Sequence, residues 1–142
     1  MRDNIWLEKK AEKIWTFLMP EIKKLNTIHL IFKGKWKNKF GHIKKLKDGS
    51  TEIAVNSLFR NEEVPNFIIY ITIAHEFIHY MHGFQSPHPK MFRYPHQGGI
   101  VNKELIKRGF GFLLILEKQW VKCNWIKIIH SLKNRNIYNS NN

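Results

Sequence analysis

The chain has 142 residues, of which 43% are hydrophobic and 13% aromatic, so it is long enough and apolar enough to bury one hydrophobic core. This composition excludes a disordered or fibrous protein. The single cysteine, Cys123, excludes a disulfide framework and a Cys-x-x-Cys zinc ribbon, so a metal ion would need histidine and carboxylate ligands. We therefore expect a single domain over residues 1–133, followed by a polar tail at 134–142.

The formal net charge is +13, and the pI is near 10.0. Basic residues are concentrated in residues 1–50 and 101–142, whereas residues 51–100 are almost balanced. This distribution predicts a basic surface and attraction to a polyanion such as DNA. The alternative is a lysine-rich surface that only keeps the protein solvated. The N-terminus lacks the apolar core of a signal peptide and no stretch is long enough to span a membrane, which predicts a cytoplasmic protein without membrane contact.

The first predicted elements are a helix and a small sheet. Residues 3–18 carry an apolar stripe with helical spacing, which predicts an amphipathic helix. The β-rich run at 28–32 predicts a strand. A turn signal at 47–50 predicts a hairpin, whose arms we expect at 43–47 and 51–56. The sequence therefore predicts a small antiparallel sheet after an N-terminal helix.

Lysines alternate with other residues after the first predicted strand. In an extended segment this alternation places four lysines on one face and the rings of Trp36 and Phe40 on the other. Interleaved basic and aromatic side chains suit a nucleic-acid strand. The alternative is a charged edge strand that prevents aggregation. The candidate nucleic-acid contacts are Lys33, Lys35, Trp36, Lys37 and Lys39.

A His-Glu-x-x-His pattern at His75, Glu76 and His79 lies in the most apolar part of the chain. On a helix, residues four apart share a face, so the two histidines can bind one zinc ion. Glu76 would project beside them, where a carboxylate can take a proton from an activated water. We therefore predict a helix over residues 65–82, against the strand propensity of 67–73. Apolar residues on almost every side predict that this helix is buried.

The stretches 41–43, 53–56 and 73–80, with Pro65 before the last, resemble the catalytic domain of SprT-like metallopeptidases and their WLM relatives. The resemblance covers about residues 28–109. It implies a zincin-like α+β fold, a Zn²⁺ cofactor and hydrolysis of peptide bonds. In the best-known members the substrates are proteins crosslinked to DNA, which implies DNA as a partner.

The resemblance also implies a third histidine ligand beyond the zinc-binding helix. His96 precedes a predicted helix at 101–108 and so resembles the family's arrangement. His88 offers a WLM-like His-x-x-x-Phe spacing, although prolines on both sides favour an extended backbone there. Glu104 would instead give a two-His, one-Glu site, which is another known zinc pattern. All three residues are candidates for the third ligand.

The mechanism that we expect is metal-assisted peptide hydrolysis with Glu76 as the general base. Tyr80 and Tyr94 are the candidates to donate a hydrogen bond to the oxyanion. Two other functions stay open. One is a nucleic-acid-binding module with structural histidines, and the other is a zinc hydrolase of a non-protein substrate, because His-Glu-x-x-His identifies a water activator and not a substrate.

The chain after Gly109 is again apolar and rich in aromatic rings. Its spacing predicts a helix over residues 112–133, with lysines on the solvent side. A strand at 112–116 is the alternative. With the helix at 101–108, these elements complete an α+β domain whose C-terminal part is helical.

Overall fold

The computed structural model describes residues 1–140 of the chain. Its regular elements are α1 Asn4–Leu18, β1 Ile28–Lys33, β2 Gly41–Lys45, β3 Thr51–Asn56, α2 Asn66–Met81, α3 Ile100–Lys107, α4 Gly111–Trp120 and α5 Ile126–Ser140. Two 3₁₀ turns, Ser57–Arg60 and Gln97–Gly99, precede α2 and α3, and a π-helical turn, Val121–Trp125, joins α4 to α5. The fold is α+β, as the sequence predicts.

Helix α1 begins where the sequence supplies a cap. The Asp3 carboxylate accepts a hydrogen bond from the backbone N–H of Trp6 at 2.8 Å, which satisfies one of the free donors of the first turn. Leu7, Ala11 and Leu18 lie on the buried face of the helix. The predicted N-terminal amphipathic helix is therefore confirmed.

The sheet is mixed, with strand order β1-β3-β2. Strand β2 pairs antiparallel with β3, which confirms the predicted hairpin, but β1 pairs parallel with β3. The prediction of an antiparallel sheet is therefore wrong for β1. The reason is that the connection 34–40 leaves the position next to β1 empty. Strand β3 then occupies that position, between β1 and β2. Every residue of β3 is buried because it is the central strand.

Residues 34–40 do not form the extended lysine face that the alternation predicted. The Asn56 side chain donates hydrogen bonds to the backbone carbonyls of Trp36 and Lys39, at 2.7 and 2.9 Å, and holds the connection in a folded-back loop. The Lys39 ammonium lies 4.4 Å from the centroid of the Trp36 ring, so the two side chains share a side. Phe40 instead packs in the core, with its ring 5.2 Å from that of Trp125.

Helix α2 is the centre of the hydrophobic core. It begins directly after Pro65 and contacts α1, α3, α4 and the sheet. The β-branched residues of its first half are buried, because neighbours surround it on nearly every side. The rings of Phe77 and Tyr80 pack edge-on against Trp15 of α1 at 5.0 and 5.6 Å. Tertiary packing thus overrides the strand propensity of 67–73, and the predicted buried helix is confirmed.

The C-terminal part is helical, so the alternative of a strand at 112–116 is wrong. The Trp125 indole N–H donates to the backbone carbonyl of Lys37 at 2.7 Å and ties the π-helical turn to the connection 34–40. Helix α5 continues to Ser140, into the predicted polar tail, of which residues 141–142 lie outside the described part. Within residues 1–140, no helix has both the length and the hydrophobicity needed to cross a membrane.

Candidate metal centre

Three histidine side chains meet at the surface end of a cleft beside α2. His75 and His79, one turn apart on α2, have their Nε2 atoms 3.1 Å apart. The Nε2 atom of His96 lies 3.2 Å from that of His75 and 3.1 Å from that of His79. Of the three candidates for a third ligand, the structure therefore brings His96 to the helix pair. Among residues 1–140, no other set of three histidine, cysteine or carboxylate ligand atoms comes so close together.

The geometry of the three histidines fits a zinc ion. The ring centroids are 4.7 to 5.3 Å apart, much farther than the Nε2 atoms, so the rings converge through that atom. Two nitrogen ligands at tetrahedral angles with bonds of about 2.0–2.1 Å must lie about 3.3 Å apart. The observed separations differ from this spacing by only about 0.2 Å. A single ion could therefore contact all three atoms after a small adjustment.

The protonation states of the histidines on α2 also suit a metal. Burial, with a smaller contribution from the neighbouring histidines, lowers the pKa of His75 to about 4 and that of His79 to about 3. Both rings are therefore neutral near pH 7 and can offer a lone pair to a cation. The Nδ1 atom of His79 is buried without a hydrogen-bond partner among the described residues.

His96 reaches the site from the segment between α2 and α3. Gly83, with φ +82°, ends α2, and a Cβ atom there would meet the backbone of Pro89 at 2.3 Å. The chain then turns back towards α2, and His96 lies just before the 3₁₀ turn that leads into α3. Gly98 and Gly99 both have positive φ, a conformation that L side chains rarely adopt. His96 is itself exposed, so backbone turns at glycine, rather than packing of its side chain, place it beside α2.

Glu76 lies between His75 and the sheet. It is 6% exposed and lines the cleft with His75. Burial raises the pKa of its carboxyl to about 8, and the ammonium of Lys39 acts in the opposite direction. A Cβ atom on Gly41 would lie 2.8 Å from Thr72 and 3.6 Å from Oε1 of Glu76. The glycine therefore lets the first residue of β2 approach the helix beside the carboxylate.

The two other ligand candidates have different partners. The His88 ring donates from Nε2 to the backbone carbonyl of Lys23 at 2.7 Å and packs against Tyr80. Glu104 accepts a hydrogen bond from Nε of Arg108 at 3.2 Å. Neither residue belongs to the cluster of three histidines. His88 and Glu104 are therefore structural residues in this arrangement.

The two tyrosines proposed for the oxyanion lie in different environments. The Tyr80 hydroxyl donates to the Asn26 side chain at 2.7 Å and accepts from the backbone N–H of Leu25 at 3.0 Å. The Tyr80 hydroxyl proton is thus already donated to the segment between α1 and β1, so it is not available to an oxyanion. Tyr94 is 58% exposed and lies two residues before His96. Its role stays a prediction.

The five proposed nucleic-acid contacts do not form one surface. Lys33 makes an ion pair with Glu52 at 3.3 Å, whereas Lys39 lies over Trp36 and lines the cleft. Lys35 and Lys37 are exposed. The predicted common face is absent because residues 34–40 turn back on themselves instead of extending.

The cleft beside the metal centre has a volume of about 1090 Å³. Its walls are formed by α2, by residues 102 and 106 of α3, by the connection 38–41, and by α4 with the start of the π-helical turn. Gly41 and Glu117 are two lining residues that the sequence analysis did not select. A glycine at the start of a strand signals a close backbone approach, and a carboxylate directly after the apolar run 113–116 signals an unusual environment. Both features can be seen in the sequence, but neither is specific to a binding site.

No protein-family model matches the chain, and neither curated proteins nor solved structures gave a match. The chain is therefore assigned to no family. Its function must be argued from the histidine cluster, Glu76 and the cleft.

Proposed function

We propose that the chain is a zinc-dependent metallopeptidase of the SprT-like type. The observation that carries the proposal is the convergence of three Nε2 atoms, from His75, His79 and His96, to within 3.2 Å of one another. Three protein ligands and an exposed side are characteristic of catalytic zinc sites, whereas structural zinc sites use four protein ligands. The cluster therefore favours a catalytic metal over a structural one.

The side chains around the cluster have complementary roles in this proposal. A bound zinc ion would supply Lewis-acid activation of water and of a peptide carbonyl. Beside that positive charge the raised pKa of Glu76, the next residue after His75, would fall, so that its ionised carboxylate would accept the proton of the attacking water and deliver it to the leaving amine. Its burial keeps competing water away from this proton. Tyr94 stays the candidate donor to the oxyanion.

A peptide substrate suits the surroundings of the site. The cleft is large enough for several side chains, and most of its lining is apolar. Strand β2 is an edge strand of the sheet, and its first residue, Gly41, lies beside Glu76. An extended peptide can add to a free strand edge through main-chain hydrogen bonds. The scissile bond of a peptide bound in this way would lie near the carboxylate.

We further propose that the substrates include DNA-associated proteins. The support is electrostatic, because the net charge is +13 and three exposed lysines, Lys39, Lys118 and Lys122, line the cleft. Such a charge attracts a polyanion at low salt. Binding to single-stranded DNA should therefore weaken steeply between 50 and 200 mM salt, on the order of 300-fold if about six phosphates are contacted. Salt-independent binding would contradict this part of the proposal.

The direct test of the peptidase is hydrolysis of denatured casein by the zinc-loaded protein. We expect a chelator to abolish cleavage, zinc to restore it, and Glu76→Gln to reduce it by about 10²- to 10⁴-fold while zinc stays bound. Glu62→Gln, which changes an exposed carboxylate outside the cleft, is the matched control and should keep full activity. Unchanged cleavage in Glu76→Gln would contradict the assignment of the general base.

Measurements of zinc content and of DNA binding, made on the same protein beside the casein assay, separate the two alternative functions. A protein that binds DNA but contains no stoichiometric zinc would be a nucleic-acid-binding module. A protein that binds one zinc ion and cleaves no protein substrate would be a zinc hydrolase of another compound.

A further inference from the structure

The cleft continues past the metal centre along α4. Beyond His75 and Glu76, this part of its wall consists mainly of apolar side chains, including those of Leu114, Ile115 and Val121. Glu117 is on the same wall. It presents a carboxylate to a cavity that otherwise suits the apolar parts of a ligand.

The Glu117 carboxylate has no hydrogen-bond or ion-pair partner among the described residues, although it is half-buried. Apart from Glu76 in the candidate metal site, the other carboxylates that are withdrawn from solvent, Glu52 and Glu104, are paired. Glu52 makes ion pairs with Lys33 and His42 at 3.3 and 2.9 Å. Glu104 is paired with Arg108. A half-buried carboxylate without a partner is costly, and binding sites are where such a cost is commonly retained.

The charged groups around Glu117 leave it unneutralised. Lys118 and Lys122 on the same helical segment and Lys39 on the facing connection line the cleft, but no ion pair joins any of them to Glu117. Burial alone raises the pKa of the Glu117 carboxyl to about 7. All three lysines are exposed residues, and the Lys39 ammonium lies over the Trp36 ring.

We propose that Glu117 is a recognition site for the cationic side chain of a lysine or arginine in the peptide substrate. The inference rests on the proposed peptidase function, since it assumes that a peptide occupies the cleft. The charged head would pair with the Glu117 carboxylate, and the aliphatic stem would lie against Leu114 and Val121. Glu117 thus selects substrates that carry a basic residue at one fixed distance from the scissile bond.

The first test measures binding without turnover. The zinc-loaded full chain is titrated with N-acetyl-arginine N-methylamide and, separately, with the citrulline compound of the same shape but no charge. We expect the arginine compound to bind about tenfold more tightly, because only its charged head can form a charge-assisted hydrogen bond with the carboxylate. Glu117→Gln should remove this preference, while the exposed-site control Glu8→Gln should keep it. Equal binding of both compounds to the wild type, or an unchanged preference in Glu117→Gln, would overturn the inference.

The second test maps cleavage sites in a peptide library by mass spectrometry. Wild-type cleavage should be enriched for lysine and arginine at one position relative to the scissile bond. Glu117→Lys should shift that position towards aspartate and glutamate, because the charge of the site is reversed. An identical cleavage profile for both proteins would contradict the inference.

The two tests distinguish the inference from the function on which it rests. Preferential binding of arginine without any hydrolysis would support the cation site and contradict the peptidase. Hydrolysis without a Glu117-dependent preference for basic residues would support the peptidase and contradict the cation site.

Discussion

The cluster of three histidines is built from two regions that differ sharply in burial. Helix α2 supplies His75 and His79 from the middle of the core, where the side chain of His79 is 4% exposed. The segment 91–99 supplies His96 from the surface, where nearly every residue is exposed. Two of its turn hydrogen bonds, those donated by the backbone N–H groups of Gln97 and Gly99, are long at 3.4 Å.

This difference implies that the two regions position their histidines in different ways. The helix fixes the spacing of two ligands whether or not a metal is bound, because its position is set by core packing. The segment 91–99 has few contacts that could hold His96 at the same place. We therefore expect the metal to order this segment, and the predictions below test that expectation.

Zinc removal should have its largest effect on the segment 91–99. At a zinc concentration about a thousandfold above Kd, openings that break the site are suppressed by up to about a thousandfold. Chelation should therefore speed tryptic cleavage after Arg93 by at least about tenfold, since cleavage follows the population of the open form. Cleavage after Lys47, in the exposed hairpin turn, does not require the histidine cluster to open, so it is the internal control and should change far less. Equal cleavage rates at Arg93 with and without zinc would show that the metal does not order this segment.

The buried ionisable groups of α2 should make the free energy of unfolding of the metal-free protein depend on pH. The pKa of Glu76 is raised to about 8 in the fold, so the folded state binds a proton that the unfolded state releases above pH 4.5. Stability from this group is therefore lost as the pH rises towards 8. His75 and His79 have lowered pKa values and act in the opposite sense, with stability lost as the pH falls below 6.5.

Between pH 6.5 and 8 the wild type should thus lose about 2 kcal/mol more stability than Glu76→Gln, at 1.36 kcal/mol per pH unit. Urea denaturation in the presence of a chelator measures both proteins. Parallel pH profiles would mean that the Glu76 carboxyl is not desolvated as the structure indicates.

The smallest expected effect comes from backbone strain that a substitution introduces near His96. Gly99 has φ +67° and open space around its Cα, so Gly99→Ala adds only the conformational cost of about 1 kcal/mol. Relief of this strain should displace His96 and weaken zinc affinity about fivefold. Gly49→Ala at the hairpin turn, with φ +88° and equally open space, is the matched control. It should lower stability by a similar amount without changing zinc affinity, and an equal loss of affinity in both variants would contradict the inference that the backbone at Gly99 positions His96.

The features of the site that depend on local geometry could be predicted from the sequence. The helical period alone placed His75 and His79 on one face, and the apolar surroundings predicted that α2 is buried. The third ligand was harder because His88 and His96 lie in similar proline-containing stretches. His88 is held by the carbonyl of Lys23, 65 residues earlier, and such a long-range contact leaves no local pattern in the sequence.

The errors about the sheet and the lysines have the same origin. Consecutive strands predicted an antiparallel sheet, but the insertion of β3 between β1 and β2 is a property of the whole fold. The alternating lysines predicted an extended face, but the side chain of Asn56 folds their backbone back. Glu117 became notable only when the structure showed that it lines the cleft without a hydrogen-bond or ion-pair partner among the residues described.

The most direct test of the three-histidine site is the zinc content of purified wild type, His96→Ala and His88→Ala, measured by mass spectrometry after the same dialysis. The structure predicts one zinc ion per chain in the wild type and in His88→Ala, and a large loss in His96→Ala. A wild type without zinc, or a loss in His88→Ala with retention in His96→Ala, would contradict the assignment.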